Sequence, residues 1–151
     1  MTAQTKINQK GFTLIELLVV IGILAVLLAI TLIAINPARQ FANANNTARR
    51  SHITQILNAI GQYGAENKGN LPPGLSKSMA ATDFDQAITG LCAAVMPNYI
   101  PALPTDPSKN TSDITSCTTF DTGYTIAVDA NGRVTVAAPS AENGATISVT
   151  R

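Results

Sequence analysis

An apolar run from Phe12 to Ile35 limits what this chain can fold into more than any other feature. Glu16 is the only charged side chain within it. A helix rises about 1.5 Å per residue, so a helix of this length spans about 36 Å, which is enough to cross the hydrocarbon core of a bilayer. The run therefore predicts a membrane-spanning helix over residues 12–35.

The rest of the chain has the composition of an ordinary globular domain. Of 151 residues in total, 46% are hydrophobic, which is high for a soluble domain of this size, and the excess lies in the apolar run. Residues 36–151 contain enough valine, isoleucine and leucine for a modest core. The net charge of +1 argues against a broad nucleic-acid-binding surface or a funnel for acidic substrates. One anchor and one globular domain are expected.

The first eleven residues are polar and carry Lys6 and Lys10 but no acidic residue. A secretory signal peptide would follow such a region with an apolar stretch of about 7 to 15 residues and a cleavage site of small residues. Here the apolar run is far longer and no such site precedes Pro37. Residues 1–11 therefore do not form an ordinary secretory signal.

Downstream of the apolar run the sequence indicates an α+β fold. Asn36-Pro37 disfavours straight continuation of the helix, and an amphipathic helix is predicted over about residues 39–63. It ends near residues 61–69, where glycines and a proline pair accumulate. Its apolar positions follow helical spacing: Ile53, Ile56, Leu57 and Ile60.

A short helix is predicted from Asp83, as its cap, to about Met96. The last third of the chain favours about three short antiparallel strands, over residues 124–128, 134–136 and 145–151. Asn131-Gly132 is predicted to form a two-residue hairpin turn between the first two strands. The amphipathic helix is expected to cover the apolar face of this small sheet.

Glu16 has a simple structural interpretation. Thr13 and Glu16 have the spacing of a capping box, and an acid in the first turn of a helix is favoured by the helix dipole by roughly 0.3 to 1 kcal/mol. On this interpretation the carboxylate merely starts the helix. The capping box does not account for the basic leader and the Gly11-Phe12 junction beside it.

The string KGFTLIE at residues 10–16, followed by the long uncharged run, resembles the N-terminal signature of type IV pilins and pseudopilins. In that family a prepilin peptidase cuts between the glycine and the phenylalanine, and the new N-terminal phenylalanine is N-methylated. The resemblance implies a leader at residues 1–11, cleavage between Gly11 and Phe12, methylation of Phe12 and a type IV pilin-like fold. It also implies a structural subunit, and the chain contains no catalytic constellation that indicates an enzyme.

The resemblance also implies a role for Glu16 in assembly. Cleavage would create an ammonium group on Phe12, and Glu16 offers a charge partner to it or to the same group on a neighbouring subunit. A buried unpaired carboxylate is costly, so pairing would favour one axial register between helices. We therefore expect Phe12 and Glu16 to form the assembly site.

Orientation follows from the resemblance, because the basic residues on the two flanks of the apolar run do not decide it. Processing in this family occurs on the cytoplasmic side, so a single-pass inner-membrane precursor with an external globular domain is expected, followed by an extracellular pilus. In that compartment Cys92 and Cys117 would form a disulfide worth on the order of 3 kcal/mol; two buried free thiols are the alternative.

The expected partners are further copies of the chain in a homopolymeric filament, the prepilin peptidase and N-methyltransferase, the pilus assembly machinery and the membrane before assembly. A type II secretion pseudopilin and a minor pilin that acts as an adhesin or DNA-binding module are the alternatives. Arg49 and Arg50 form a weak footprint for DNA, and a solvated helix face is the simpler interpretation.

No cofactor or metal site is predicted. Some pseudopilins bind calcium, but the available aspartates, Asp106, Asp113, Asp121 and Asp129, lack the spacing of an EF-hand loop. His52 has no nucleophile or acid paired with it in the sequence, so a solvated or groove-lining position is expected.

Overall fold

A computed structural model describes residues 11–88, 90–109 and 111–151, and it has the predicted α+β fold. The chain divides into two compact units, the first ending at Gln40 and the second spanning Phe41–Arg151. We call the second unit the head.

Helix α1 spans Leu14–Ile35 and contains no side chain that is buried within the described chain. Its length and apolar composition make it a candidate membrane span, as predicted. The helix ends at Asn36, which adopts a left-handed conformation with φ 47°. Pro37 explains this end, because a proline disfavours helical geometry at the residue before it, and asparagine tolerates the left-handed region.

Helix α2 spans Pro37–Glu66. The predicted amphipathic stripe is confirmed, since Ile53, Ile56, Leu57 and Ile60 are all at most 5% exposed. The helix ends within the predicted glycine-rich segment, where Lys68 and Gly69 take positive φ values and the Gly69 N–H bonds to the Gly64 carbonyl at 2.8 Å.

Four antiparallel strands form one sheet in the order β1, β2, β3, β4. Along β2, side chains alternate between buried and half-buried positions, and the buried ones join the α2 stripe in a single hydrophobic core. The sheet therefore packs its apolar face as predicted, with one strand more than expected. The strand bounds are β1 Thr82–Asp85, β2 Asp121–Val128, β3 Val134–Ala137 and β4 Ser148–Thr150.

The additional strand corrects the predicted helix over residues 83–96. Asp83 does not cap a helix but lies in β1, opposite Thr125 of β2. Phe84 is fully buried and packs edge-on against Phe120, with ring centroids 5.8 Å apart. Pairing with β2 and burial of Phe84 thus override the helical spacing of the apolar residues. The helix that remains, α3, spans only Leu91–Val95.

The turn between β2 and β3 also differs from the prediction. Asp129 and Arg133 are joined by a backbone hydrogen bond of 3.0 Å, so the loop has three residues, 130–132, rather than two. The Asp129 carboxylate accepts bonds from the backbone N–H groups of Asn131 and Arg133, and Gly132 takes φ 88°. A glycine in the left-handed region is typical of such three-residue hairpins.

The fully buried Arg49 guanidinium joins α2 to two distant loops. It donates to both carboxylate oxygens of Asp106, from Nε at 2.8 Å and from Nη2 at 3.0 Å. Its Nη1 donates to Glu142 at 2.8 Å and to Asn46 at 3.0 Å. Asp106 directly precedes the short 3-10 helix Pro107–Lys109. The interpretation of Arg49 as part of a solvated helix face is therefore wrong, although Arg50 is exposed.

Asn46 makes a second connection between α2 and the loop that precedes β4. Its side chain donates to the Glu142 carbonyl at 2.8 Å and accepts from the Glu142 backbone N–H at 3.0 Å. One amide side chain thus satisfies both backbone groups of a loop residue, as a neighbouring strand would. Arg49 then satisfies the carboxylate of the same residue.

These contacts set the protonation of two carboxyl groups. Burial by itself would raise the pKa of Asp106, but hydrogen bonds from Arg49 and Ser108 outweigh it and hold the pKa below its ordinary value. The hydrogen bond from Arg49 likewise lowers the pKa of Glu142. Both groups therefore remain ionised to lower pH in the folded chain than in the unfolded one.

Replacing Arg49 by methionine should lower the stability of the head by about 3 to 5 kcal/mol, because Asp106 would remain buried without a counter-charge. Thermal unfolding of the detergent-solubilised chain, followed by near-ultraviolet circular dichroism, measures this loss. Arg50→Met is the matched control and should change stability by less than about 0.5 kcal/mol. Equal losses in the two variants would contradict the role of Arg49.

The head should also lose stability in acid. Below the ordinary pKa values of 3.8 for Asp106 and 4.5 for Glu142 the unfolded chain binds more protons than the folded chain, so falling pH favours unfolding. Melting temperatures measured between about pH 5 and pH 3 should fall less steeply for Asp106→Asn than for the unaltered chain. Asp83→Asn, which removes an exposed carboxylate that makes no side-chain hydrogen bond to the described residues, is the matched control for the loss of one acidic group.

Candidate processing and assembly site

The start of α1 places the predicted processing junction outside the helix. Thr13 is the N-cap, with extended backbone geometry, so Gly11 and Phe12 precede the helical hydrogen bonds. The Phe12 side chain is 82% exposed. The rest of the predicted leader, residues 1–10, lies outside the described residues. The junction between Gly11 and Phe12 is thus held in non-helical backbone next to a capped helix.

The predicted capping box is present and fixes the Glu16 carboxylate. The Thr13 backbone N–H and the Thr13 hydroxyl each donate to Oε2 of Glu16 at 2.8 Å. In return the Glu16 N–H donates to the Thr13 hydroxyl at 3.3 Å. Oε1 of Glu16 accepts no hydrogen bond from the described residues. The cap therefore holds the carboxylate beside the peptide that joins Phe12 to Thr13 and leaves one oxygen for another donor.

The apolar surface of α1 has no cover within the described chain. Its leucine, isoleucine and valine side chains are between 51% and 83% exposed. In the head, the described residues include one large hydrophobic side chain that is comparably exposed, Phe41 at 71%. A continuous apolar surface of this size marks a membrane or protein contact.

The head contains the expected disulfide. Cys92 of α3 bonds to Cys117, four residues before β2, with the two Cα atoms 5.7 Å apart. The enclosed loop carries Asp106, the main partner of Arg49. The disulfide and the ion pair therefore restrain the same segment.

Of the other residues considered from the sequence, His52, Asp121 and Asp129 have structural partners, whereas Asp113 is exposed. His52 is half-buried, and its Nδ1 lies 2.8 Å from the hydroxyl of Tyr124, whose pKa is raised by burial. Asp121 pairs with Lys109 and Asp129 with Arg133. Within the described ranges, no three histidine, cysteine or acidic side chains are grouped so as to hold a metal ion.

Sequence reasoning missed the connection made by Arg49, Asn46, Asp106 and Glu142. Asp106 lies 57 residues and Glu142 lies 93 residues from Arg49, so no local spacing relates them. One signal could have indicated that the Arg49 side chain is buried. Arg49 lies four residues before Ile53, which places it on the apolar side of α2.

Comparison with known families identifies the N-terminal segment. Residues 6–32 match a family model described as the prokaryotic N-terminal methylation motif. The match covers the predicted junction, the capping box and most of α1 but none of the head. No curated protein and no solved structure matches the chain.

The motif accounts for the features found at this site. It implies processing by a prepilin peptidase and assembly into pilus-type filaments. Together with the apolar helix, it fits single-pass anchoring in the inner membrane before assembly into an extracellular pilus. The chain therefore carries the class III signal peptide of type IV pilins, which supports a type IV pilin-like or pseudopilin precursor.

Proposed function

We propose that the chain is a structural subunit of a type IV pilus-like filament. The observation that carries this proposal is a methylation motif on a helix whose apolar surface has no cover within the described chain. The prepilin peptidase and N-methyltransferase would cut between Gly11 and Phe12 and methylate Phe12. The pilus assembly machinery would then move the mature subunit into the filament.

The proposal divides the chain into a leader at residues 1–11, a filament-core helix at residues 12–35 and a globular part at residues 36–151. Lipid covers the helix before assembly, and the helices of other copies cover it afterwards. Each copy would contact the next through two different surfaces. Such contacts do not close, so assembly is open-ended.

Glu16 is proposed to set the register between subunits. Its Oε2 is engaged by Thr13, and Oε1 has no donor among the described residues, so an ammonium group on Phe12 of the same or a neighbouring copy can bind there without breaking the cap. Among packed apolar helices an unpaired carboxylate is strongly disfavoured. Only registers that bring the ammonium to the carboxylate avoid this cost.

A type II secretion pseudopilin carries the same motif and is the second candidate. Sheared surface filaments composed mainly of this chain would favour the pilus subunit, whereas a minor component would favour an adhesin or DNA-binding minor pilin. Burial of Arg49 removes one of the two arginines that suggested a DNA contact.

Mass analysis of the mature chain should find N-methylated phenylalanine at position 12 as the first residue. The non-helical backbone at Gly11 and Phe12 favours access for the peptidase. Gly11→Leu is the control and should remain at precursor mass, because a bulky side chain replaces hydrogen at the cut. A mature chain that begins at another residue would contradict the proposed processing.

Glu16→Gln should abolish filaments, while Thr13→Ala should preserve them. Glutamine can still form a capping box but carries no charge, whereas Thr13→Ala weakens the cap by about 1 kcal/mol and keeps the charge. The yield of sheared filaments, relative to mature chain in the membrane, measures both effects.

This pair of variants separates charge pairing from capping. Loss of filaments in Thr13→Ala but not in Glu16→Gln would show that Glu16 acts only through the cap. Normal yield in both variants would remove the assembly role altogether.

A further inference from the structure

Phe41 lies in the second turn of α2 and has no cover among the described residues. Its side chain is 71% exposed, and the first residue of α2 that is buried comes five positions later, at Asn46. The turns of α2 before Asn46 therefore contribute no buried side chain to the head. Because a phenylalanine ring is favoured in an apolar environment, its place here indicates a contact outside the head.

The chain holds Phe41 close to the end of the candidate membrane span. Helix α1 ends at Ile35, and α2 begins at Pro37. The two chain steps between them cover at most about 7 Å, and the four helical steps from Pro37 to Phe41 rise about 6 Å. The Cα atom of Phe41 therefore lies within about 13 Å of the Cα atom of Ile35, a limit that the chain length alone sets.

This limit brings the Phe41 ring within reach of the lipid headgroups. The hydrocarbon core of a bilayer is about 30 Å thick, and the headgroups extend the bilayer to about 40 to 45 Å. The 22 residues of α1 form a helix of about 33 Å, so Ile35 reaches the edge of the core. Phenylalanine side chains of interfacial helices bind at the boundary between headgroups and acyl chains.

The charge of this segment suits a phospholipid surface. Arg39 lies two residues before Phe41, is exposed, and forms no ion pair with another described residue. The sequence contains no acidic residue between Glu16 and Glu66. The segment that leaves the apolar run therefore has no carboxylate that anionic headgroups would repel, and a guanidinium binds phosphate oxygens well.

We infer that Phe41 binds the membrane surface before assembly, with Arg39 beside it at the lipid phosphates. The ring lies at the headgroup boundary and holds the first turns of α2 against the bilayer. A second copy of the chain could also cover the ring, but lipid is next to it as soon as α1 is inserted, whereas another copy arrives only at assembly. This contact requires that α1 spans a bilayer and does not require a filament.

Tryptophan fluorescence of the full chain tests this contact, because the sequence contains no tryptophan. Phe41→Trp therefore supplies a single probe at the proposed site. The variant is inserted at low density into vesicles of phosphatidylcholine and phosphatidylglycerol, with bromine placed either near the headgroups or deep in the acyl chains. We expect emission at shorter wavelength than in water, and stronger loss of intensity with the shallow bromine than with the deep one.

Gln62→Trp is the matched control on the same helix. Gln62 is exposed and lies 21 residues after Phe41, which is about 32 Å along α2. Its emission should be that of tryptophan in water, without loss of intensity from either lipid. Arg39→Gln in the Phe41→Trp chain should weaken quenching by the shallow bromine, whereas Arg50→Gln in the same chain should leave it unchanged.

Three results would overturn the membrane contact. Water-like emission of Phe41→Trp in vesicles, with shielded emission in sheared filaments, would assign the ring to a contact between copies. Equal quenching at positions 41 and 62 would show that the whole of α2 lies on the bilayer. Equal effects of Arg39→Gln and Arg50→Gln would remove Arg39 from the contact. Absence of filaments from the unaltered chain would instead remove the proposed function alone, because the vesicle measurement does not depend on assembly.

Discussion

The buried guanidinium of Arg49 is the interaction on which the head most depends. The hydrophobic core joins α2 to the sheet, and two long loops also contact α2. One side chain anchors both: Asp106 from the disulfide-closed loop and Glu142 from the loop before β4. A buried ion pair is not necessarily more stabilising than packed apolar residues, but its directional bonds allow one placement of each loop.

The N-terminal site combines two roles that first looked like alternatives. A capping box accounts for a glutamate at position 16 without any role in assembly, and the structure contains that box. Yet both Thr13 donors converge on one carboxylate oxygen, so capping uses only part of the acceptor capacity of Glu16. A local structural role and an intermolecular role are therefore compatible at the same side chain.

Sequence reasoning succeeded where the information is local. Helical spacing of apolar residues indicates the buried face of α2, and alternation of apolar and polar residues along β2 indicates the buried face of the sheet. Both periods follow from backbone geometry. The α2 residues are Ile53, Ile56, Leu57 and Ile60. Sequence reasoning failed at β1, where pairing with a strand nearly forty residues away decides the conformation of Phe84. It failed at Arg49 for the same reason, since nothing near position 49 indicates its distant carboxylates. The methylation motif was recognisable because its junction, cap and apolar run are contiguous.

The position of the capping box along the chain has a consequence for processing and assembly of the subunit. Both residues of the box lie on the C-terminal side of the predicted Gly11–Phe12 junction, so the hydrogen bonds of the box join residues that cleavage would leave in the mature chain. Removal of the leader would change the charge at the tip of the helix while its first turn stays intact. One preformed helix can thus serve first as a lipid-embedded anchor and then as a polymer core, without refolding between the two environments.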